Sequence, residues 1–311
     1  MITKFQDGFI TKTKLNELVG GINALDSMTT SETIYVGVGQ TYATLSSALD
    51  YAKNKKPNRD YKIEIIIKSG TIVSEQLIYE NADFGHVIIS SEDVEVNVDV
   101  SGFTIAKVGP FKPFFYLNNG NCPLINTILK GNDVFENSFT KYLSIGFVLN
   151  NSYLKINDSK GVYNFGQGVH ANMSKIIAYG CNIKNIAVGM RCNNSDIIIN
   201  GSNFSDFRLE GLVFQSCTID MSSVNINSIY SNTIGCSASN CMLHGENIVC
   251  NASYGFIVGY GGTYYIGGVG ITGNSKMGIV LTSGGIVNAN QTVCTLSQTA
   301  NTITANGIIF K

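Results

Sequence analysis

The sequence predicts an all-β solenoid, a right-handed parallel β-helix of about 22 residues per coil, and three recurring marks carry that prediction. The first is a glycine. Gly146, Gly168, Gly189, Gly211, Gly235, Gly255 and Gly278 follow one another at 22, 21, 22, 24, 20 and 23 residues, and each opens an apolar run such as Gly211-Leu-Val-Phe. The second is a pair of apolar residues two apart: Ile197 and Ile199, Ile219 and Met221, Tyr264 and Ile266. The third is an Asn followed by an apolar residue, at Asn182-Ile183, Asn203-Phe204, Asn225-Ile226 and Asn247-Ile248, continued by Gly270-Ile271 and Thr292-Val293. A fixed period of this size belongs to stacked units that bury one another's faces. Short runs of period-2 alternation broken by Gly, Asn and Ser are strands, not helices. Three such strands per period describe a β-helix coil, with Asn closing the turn because it tolerates left-handed backbone. A leucine-rich repeat shares the period, but here Ile dominates over Leu and the Asn sits directly before its apolar partner.

Three regions follow in order. Residues 1–30 hold one helix candidate, with Leu15, Leu18, Val19, Ile22 and Leu25 on a single face and Thr11 or Thr13 as its cap. Gly20-Gly21 weakens it, and so short a helix is not stable alone. Its apolar face therefore needs a partner, either copies of itself in a trimer or a separate docking protein. Residues 31–60 read as a strand, Thr33-Ile-Tyr-Val, and then an amphipathic helix with Leu45, Ala48, Leu49 and Ala52 on one face. Placed before the first coil, that helix covers sheet edges that would otherwise be open. Residues 61–311 are the β-helix, with longer excursions at 106–115 and 130–142. The last residues, Asn306-Gly-Ile-Ile-Phe-Lys, read as a strand that another subunit or partner is expected to cover.

Composition narrows the function. A net charge of −1 with 14% charged residues leaves no basic footprint for nucleic acid or anionic membrane. Beyond Gly211 only Asp220, Glu246, Lys276 and Lys311 are formally charged, yet no apolar run reaches the roughly 18 residues of a membrane span. A surface of Asn, Ser, Thr, Gly and Tyr suits fibrous proteins, oligomer interfaces and carbohydrate-binding faces. The opening Met1-Ile-Thr-Lys-Phe-Gln-Asp-Gly lacks an apolar core and a cleavage site, so no secretory signal is expected. Of the eight cysteines, Cys192 and Cys236 fall on repeat positions held elsewhere by apolar residues and read as small core hydrophobes. Cys217 and Cys241 share a repeat position in adjacent coils, about 4.8 Å apart, and are expected as stacked free thiols in a reducing cytoplasm.

Taken together, the three regions resemble bacteriophage tail-fibre and tailspike proteins. Phe5-Gln-Asp-Gly followed by Thr11-Lys-Thr-Lys-Leu-Asn-Glu-Leu looks like the short virion-attachment segment of many phage fibres. Val36-Gly-Val-Gly-Gln-Thr-Tyr-Ala-Thr-Leu-Ser-Ser-Ala-Leu is similar to the strand and capping helix that begin pectate-lyase-like β-helices, tailspikes among them. The second motif is shared with pectin methylesterases, whose aspartate, glutamine, arginine and Trp-bearing catalytic motifs have no match in this Trp-free chain. The resemblance implies a virion-borne homotrimer, made in the host cytoplasm, that docks on other tail or baseplate proteins through residues 1–30. It also implies binding or cleavage of a bacterial surface polysaccharide.

A glycosidase needs two carboxyl groups about 5–9.5 Å apart. Asp158, Asp196, Asp206, Glu210, Asp220 and Glu246 are the repeat region's supply, with Asp196 and Asp220 at nearby positions in consecutive coils. Asp206-Phe-Arg208-Leu-Glu210, read as a loop bearing one of three arginines, is with Asp220 the best catalytic candidate. Its plain alternative is a surface turn with a weak salt bridge. His86, His170 and His244 are scattered, with His170 at an outward strand position, and nothing suggests a metal site or a cofactor. Tyr260 and Tyr265, the surface pair in an aromatic-rich coil, are the candidates for stacking on sugar rings, and a trimer contact would explain them equally well. A non-catalytic, receptor-binding fibre is the reading these features favour. A depolymerase (hydrolase or lyase) and a structural adaptor for another fibre are the alternatives.

Overall fold

The computed structural model describes residues 2–5, 8–11, 26–27, 30–56, 60–136, 139–259, 261–272, 277–282, 286–288, 302–304 and 308–310. They form a parallel β-solenoid of about nine turns, about 24 residues per turn, with one short helix. Among the described residues, twenty-six strands join in one hydrogen-bonded sheet. Each coil contributes to three faces, and each face sends a column of apolar side chains inward. The first face stacks Leu77, Phe115, Phe147, Val169, Met190, Leu212, Cys236, Phe256 and Ile279 in register. The second stacks Leu154, Ile176, Ile197, Ile219, Leu243 and Tyr264. The third stacks Val96, Leu129, Val162, Ile183, Phe204, Ile226 and Cys250. All of these are buried and belong to one continuous core.

The recurring glycine has a steric cause. A Cβ on Gly146, Gly168, Gly189, Gly211 or Gly235 would lie 2.7, 2.4, 2.3, 2.7 or 2.7 Å from the carbonyl oxygen of the equivalent glycine in the next coil. Only glycine lets the backbones approach that closely. The turn that follows the first face is equally regular. Asn81, Asn119, Asn151, Met173, Asn194, Ser216 and Asn240 all hold φ between 46° and 59°, the left-handed region where Asn is enriched. Next comes a column of Ser152, Ser174, Ser195, Cys217 and Cys241. Their hydroxyls and thiols donate to the carbonyls two residues back, at 2.6, 2.8, 2.7, 3.2 and 3.1 Å. They also accept backbone N–H groups from neighbouring coils, as Ser195 Oγ does from Ser174 at 3.0 Å and Cys241 Sγ from Cys217 at 3.4 Å. In the next coil Gly262 leaves room for the phenol of Tyr264, whose hydroxyl donates to the carbonyl of Ala238 or Gly259, each 2.9 Å away.

The helix α1 (Leu45–Lys53) buries Leu45, Ala48, Leu49 and Ala52, the face the sequence marks. It packs into the first end of the core. Thr44 caps it, and Glu75 Oε1 accepts the N–H groups of Leu45 and Ser46 at 2.7 and 3.2 Å. At its other end His86 Nε2 lies 3.2 Å from the carbonyl of Ala52.

Four expectations need adjusting. The 22-residue step holds from Tyr153 through Lys175, Asp196, Thr218, Met242 and Thr263. Earlier coils are longer, with Ile89 paired to Ile125 and Ile125 to Ile156, because two excursions interrupt them. The described parts of those excursions are 101–111, 132–136 and 139–143, and 112–115 belongs to the strand Lys112–Asn121. The Asn-apolar mark lies within strands of the third face at Asn182, Asn203 and Asn225 instead of closing a turn. Asn225 then pairs with Val249, so Asn247 falls two residues out of phase and takes φ 52°. The helix expected at 15–25 and Thr292-Val293 lie outside the described residues. Cys122, Cys181, Cys192, Cys217, Cys236 and Cys241 are buried free thiols. Burial pushes the thiols of Cys122, Cys192 and Cys236 up, which keeps them protonated and inert.

Candidate functional site

The second face alternates inward and outward residues, so register turns its outward positions into straight columns. One column runs Tyr153, Lys175, Asp196, Thr218, Met242, Thr263. Two residues along the strands, the other runs Lys155, Ile177, Ile198, Asp220, His244, Tyr265. The strands that carry them are held from beneath by the buried Leu154-to-Tyr264 column. Between them lies a groove of about 530 Å³ whose walls include Lys175, Asp196, Ile198, Met242, His244 and Tyr265. It meets a second hollow of about 450 Å³, lined by Asn151, Met173 and Asn194, through the shared Lys175 and Asp196. From Lys175 to Tyr265 is four coil steps, about 19 Å at the usual spacing between strands.

His244 is the hub of the groove. Its Nδ1 lies 3.6 Å from Asp220 Oδ1 and its Nε2 lies 3.5 Å from Glu246 Oε1. The imidazole stacks on Tyr265, with centroids 5.2 Å apart and planes 10° apart. Asn200 donates to Asp220 Oδ2 at 3.4 Å. Tyr265 is 42% exposed, so a large part of its surface is open to a ligand. The arrangement offers an aromatic surface beside carboxylate acceptors, over apolar side chains (Ile198, Met242). That combination suits the apolar face and hydroxyl rim of a sugar ring. As a catalytic pair Asp220 and Glu246 are badly placed. The imidazole fills the space between them, where an inverting or retaining glycosidase needs the scissile bond.

Asp220 and Tyr265, singled out in the sequence for different roles, are thus brought together. Asp206, Arg208 and Glu210 are not part of this groove. Their segment is strand, within Asn203–Gln215, and not a loop. Asp206 takes φ 57° at the corner where Asn164 and Asn185 do the same in the coils before. The Arg208 guanidinium lies between the rings of Phe135 and Tyr230, at 4.9 and 4.4 Å. Glu210 accepts from Arg191 Nη2 at 3.1 Å on the first face. That pair borders a wider hollow of about 830 Å³ that also includes His170, Asn193, Gln215 and Ser237. Burial, reinforced by the Arg191 charge, lowers the pKa of His170 and favours its neutral form. Tyr260 lies outside the described residues. Among the described residues no group of three or more His, Cys, Asp or Glu side chains could hold a metal ion. No described helix is long and apolar enough to cross a membrane. His244 is the residue that sequence reasoning missed. Its signal was there, since Asp220, His244 and Tyr265 follow the same 24- and 21-residue steps as Thr218, Met242 and Thr263.

No protein-family model matches the chain, and none of the curated proteins does. Among solved structures it is similar to ORF18 of Geobacillus virus E2, with 10% identity over 80% of this chain and 53% of that one, at a TM-score of 0.43. The chain therefore spans about half the length of that viral protein. It is also similar to a GH136 lacto-N-biosidase from Eubacterium ramulus, with 8% identity, 90% and 68% coverage and a TM-score of 0.43. A putative glycosyl hydrolase from Parabacteroides merdae follows, with 13% identity, 85% and 88% coverage and a TM-score of 0.25.

Proposed function

We propose that this chain is the receptor-binding β-helix of a bacteriophage tail fibre or tailspike, and that it holds a bacterial surface polysaccharide along its second face without cleaving it. The observation that carries the glycan reading is the exposed Tyr265 ring stacked on His244, flanked by Asp220 and Glu246 at one end of a groove that crosses several coils. An extended polymer lying along the solenoid axis would meet one pair of outward residues per coil. The tail-fibre reading rests on the sequence resemblance of the first 60 residues, with residues 1–30 docking on tail or baseplate proteins and three copies forming the fibre. The imidazole between the two carboxylates favours binding over hydrolysis.

The test is incubation of the purified protein with capsule and lipopolysaccharide from candidate hosts, followed by retention assays and mass spectrometry of the supernatant. Saturable retention without released fragments is expected. Tyr265→Ala should weaken it roughly tenfold, since an aromatic contact is worth about 0.5–1.5 kcal/mol beyond its area. Defined oligosaccharides in the supernatant would make the chain a depolymerase and direct attention to Asp220, Glu246 and the Arg191–Glu210 pair. Retention on no surface of a broad panel would leave the adaptor reading in its place.

A further inference from the structure

The second face carries its charges unevenly. The cations of its outward columns, Lys155 and Lys175, stand in the early coils, and the carboxylates Asp196, Asp220 and Glu246 stand in the later ones. Lys155 precedes Asp220 by three steps of one column, and Lys175 precedes Met242 by three steps of the other, about 14 Å in each case at the usual strand spacing. That exceeds the screening length of about 8 Å at physiological salt. Among the described residues of these columns, the later end of the groove thus has one group able to carry positive charge nearby, the imidazole of His244.

Three strands set its surroundings. Asp220 faces His244 from the coil before, Glu246 from its own strand and Tyr265 from the coil after, whose strand Thr263–Thr272 has no charged residue. Asp196 lies one coil before Asp220, in the neighbouring column. The two ring nitrogens stand 3.6 Å from Asp220 Oδ1 and 3.5 Å from Glu246 Oε1. A neutral imidazole has one N–H and one lone pair, so it serves one of these carboxylates and turns a lone pair to the other. An imidazolium has two N–H groups and serves both. The other neighbours are neutral: Asn200 donates to Asp220 Oδ2, and Glu246 stands in register between Ser222 and Gly267. The ring also lies flat against Tyr265, and a cation is attracted to an aromatic face. The side chains of His244, Asp220 and Glu246 are 51%, 46% and 41% exposed, so protons and a ligand both reach them. The other two histidines have no such setting. Burial pushes the pKa of His86 down, and burial with the Arg191 charge does the same for His170.

We infer that His244 is the positioning residue of the groove and makes its hold on glycan depend on pH. With both nitrogens protonated, the ring bridges Asp220 and Glu246 and keeps Tyr265 stacked where it meets the ligand. With one nitrogen bare, the ring turns from one carboxylate and Tyr265 loses its support. This regulation rests on the reading of the groove as a glycan site. Histidine is the side chain that ordinarily changes charge between about pH 5 and 8, so the grip is tighter at the acid end of that range and weaker at the alkaline end.

The chain contains no Trp, so Tyr265→Trp places a single indole beside His244. An imidazolium quenches indole emission on contact far more than a neutral imidazole does. Without any glycan, the full-length variant should brighten through one transition between about pH 5 and 8, and the added substitution His244→Gln should flatten it. In parallel, the wild-type protein is tested for retention on purified capsule and lipopolysaccharide. Retention should be about three- to fivefold stronger near the acid end of the range than near the alkaline end, the effect of two exposed ion pairs gained together. His244→Gln should be retained equally at both ends. A flat indole signal overturns the inference even where glycan is retained, and so does wild-type retention that ignores pH. A wild-type pH profile in His244→Gln also overturns it, since the titrating group would then belong to the glycan. Retention on no surface at any pH, with the indole transition present, would instead show that the glycan reading has failed and has taken this regulation with it.

Discussion

The groove on the second face and a chamber of about 180 Å³ on the first, walled by Phe111, Thr140 and Leu143 from the two excursions, are built from the same coil by opposite means. Every groove residue stands at a fixed phase of the repeat. Lys175, Asp196, Asp220, His244 and Tyr265 differ only in which coil they occupy and which of two outward columns they join. Such a surface is regular and open along the axis, because each coil can add no more than its own outward side chains. The chamber needs walls that rise above the face, so the chain has to leave the period to make it. Phe111, Thr140 and Leu143 have no counterpart in later coils. Leaving the period removes the backbone partners that the neighbouring coil supplies, and side chains must replace them. Asp133 does this for the second excursion. A repeat therefore sets out a platform, and only an interruption of the repeat encloses a volume.

That contrast is broken most directly at Asp133. Asp133→Ala leaves three backbone N–H groups and the Ser144 hydroxyl without their acceptor. The expected loss is about 3 kcal/mol or more, since each buried donor left unpaired costs about 1–3 kcal/mol. Urea denaturation measures that loss, and polysaccharide retention through Tyr265 should persist under native conditions. If that retention is lost as well, the excursions and the regular coils form one cooperative unit and the contrast has no energetic meaning.

The next test sits in the regular part. Gly189→Ala would place a methyl group 2.3 Å from the Gly211 carbonyl oxygen and 3.2 Å from Phe204 Cδ1. It should destabilise by about 1–3 kcal/mol, the usual range for forcing an extra carbon into a packed interior. Gly102 lies in the first excursion, where a Cβ would meet nothing within 4 Å, and Gly102→Ala should stay within about 0.5 kcal/mol of the parent. Equal effects at the two positions would mean that the glycine column is not what brings the coils so close.

The legibility of the sequence divides along the same line. The repeat glycines, the alternating Ile197, Ile219 and Tyr264, and the helix face of Leu45, Ala48, Leu49 and Ala52 all show a period, and the structure keeps each of them. Asp220 and Tyr265 were visible as interesting residues but not as neighbours. Joining them requires the register of three successive coils, through His244. The Asp206–Glu210 segment misled because its charges suggest a loop, whereas the Asn164 and Asn185 corner repeats there and the chain continues as strand through Arg208. The excursions were visible only as gaps in the pattern. Nothing periodic says where Thr140 or Leu143 will land, because their positions depend on Asp133, a lone carboxylate ahead of the residues it pins.

The cysteines carry the smallest of these effects and separate two positions that look alike in sequence. Cys217 and Cys241 continue a column of serines, and their thiols make the same bonds as the hydroxyls of Ser152, Ser174 and Ser195. Cys192 stands instead in an inward column between Ala171 and Phe214, fully buried in the core. Cys217→Ser should therefore change stability by less than about 0.5 kcal/mol, since the new hydroxyl inherits a bonded place. Cys192→Ser should cost about 1–2 kcal/mol, the penalty for burying a hydroxyl among apolar groups. Thermal unfolding of the two single variants, compared under reducing conditions, distinguishes them. A penalty at Cys217 as large as that at Cys192 would show that the sulfurs fill volume there and that the hydrogen-bonded column ends at Ser195.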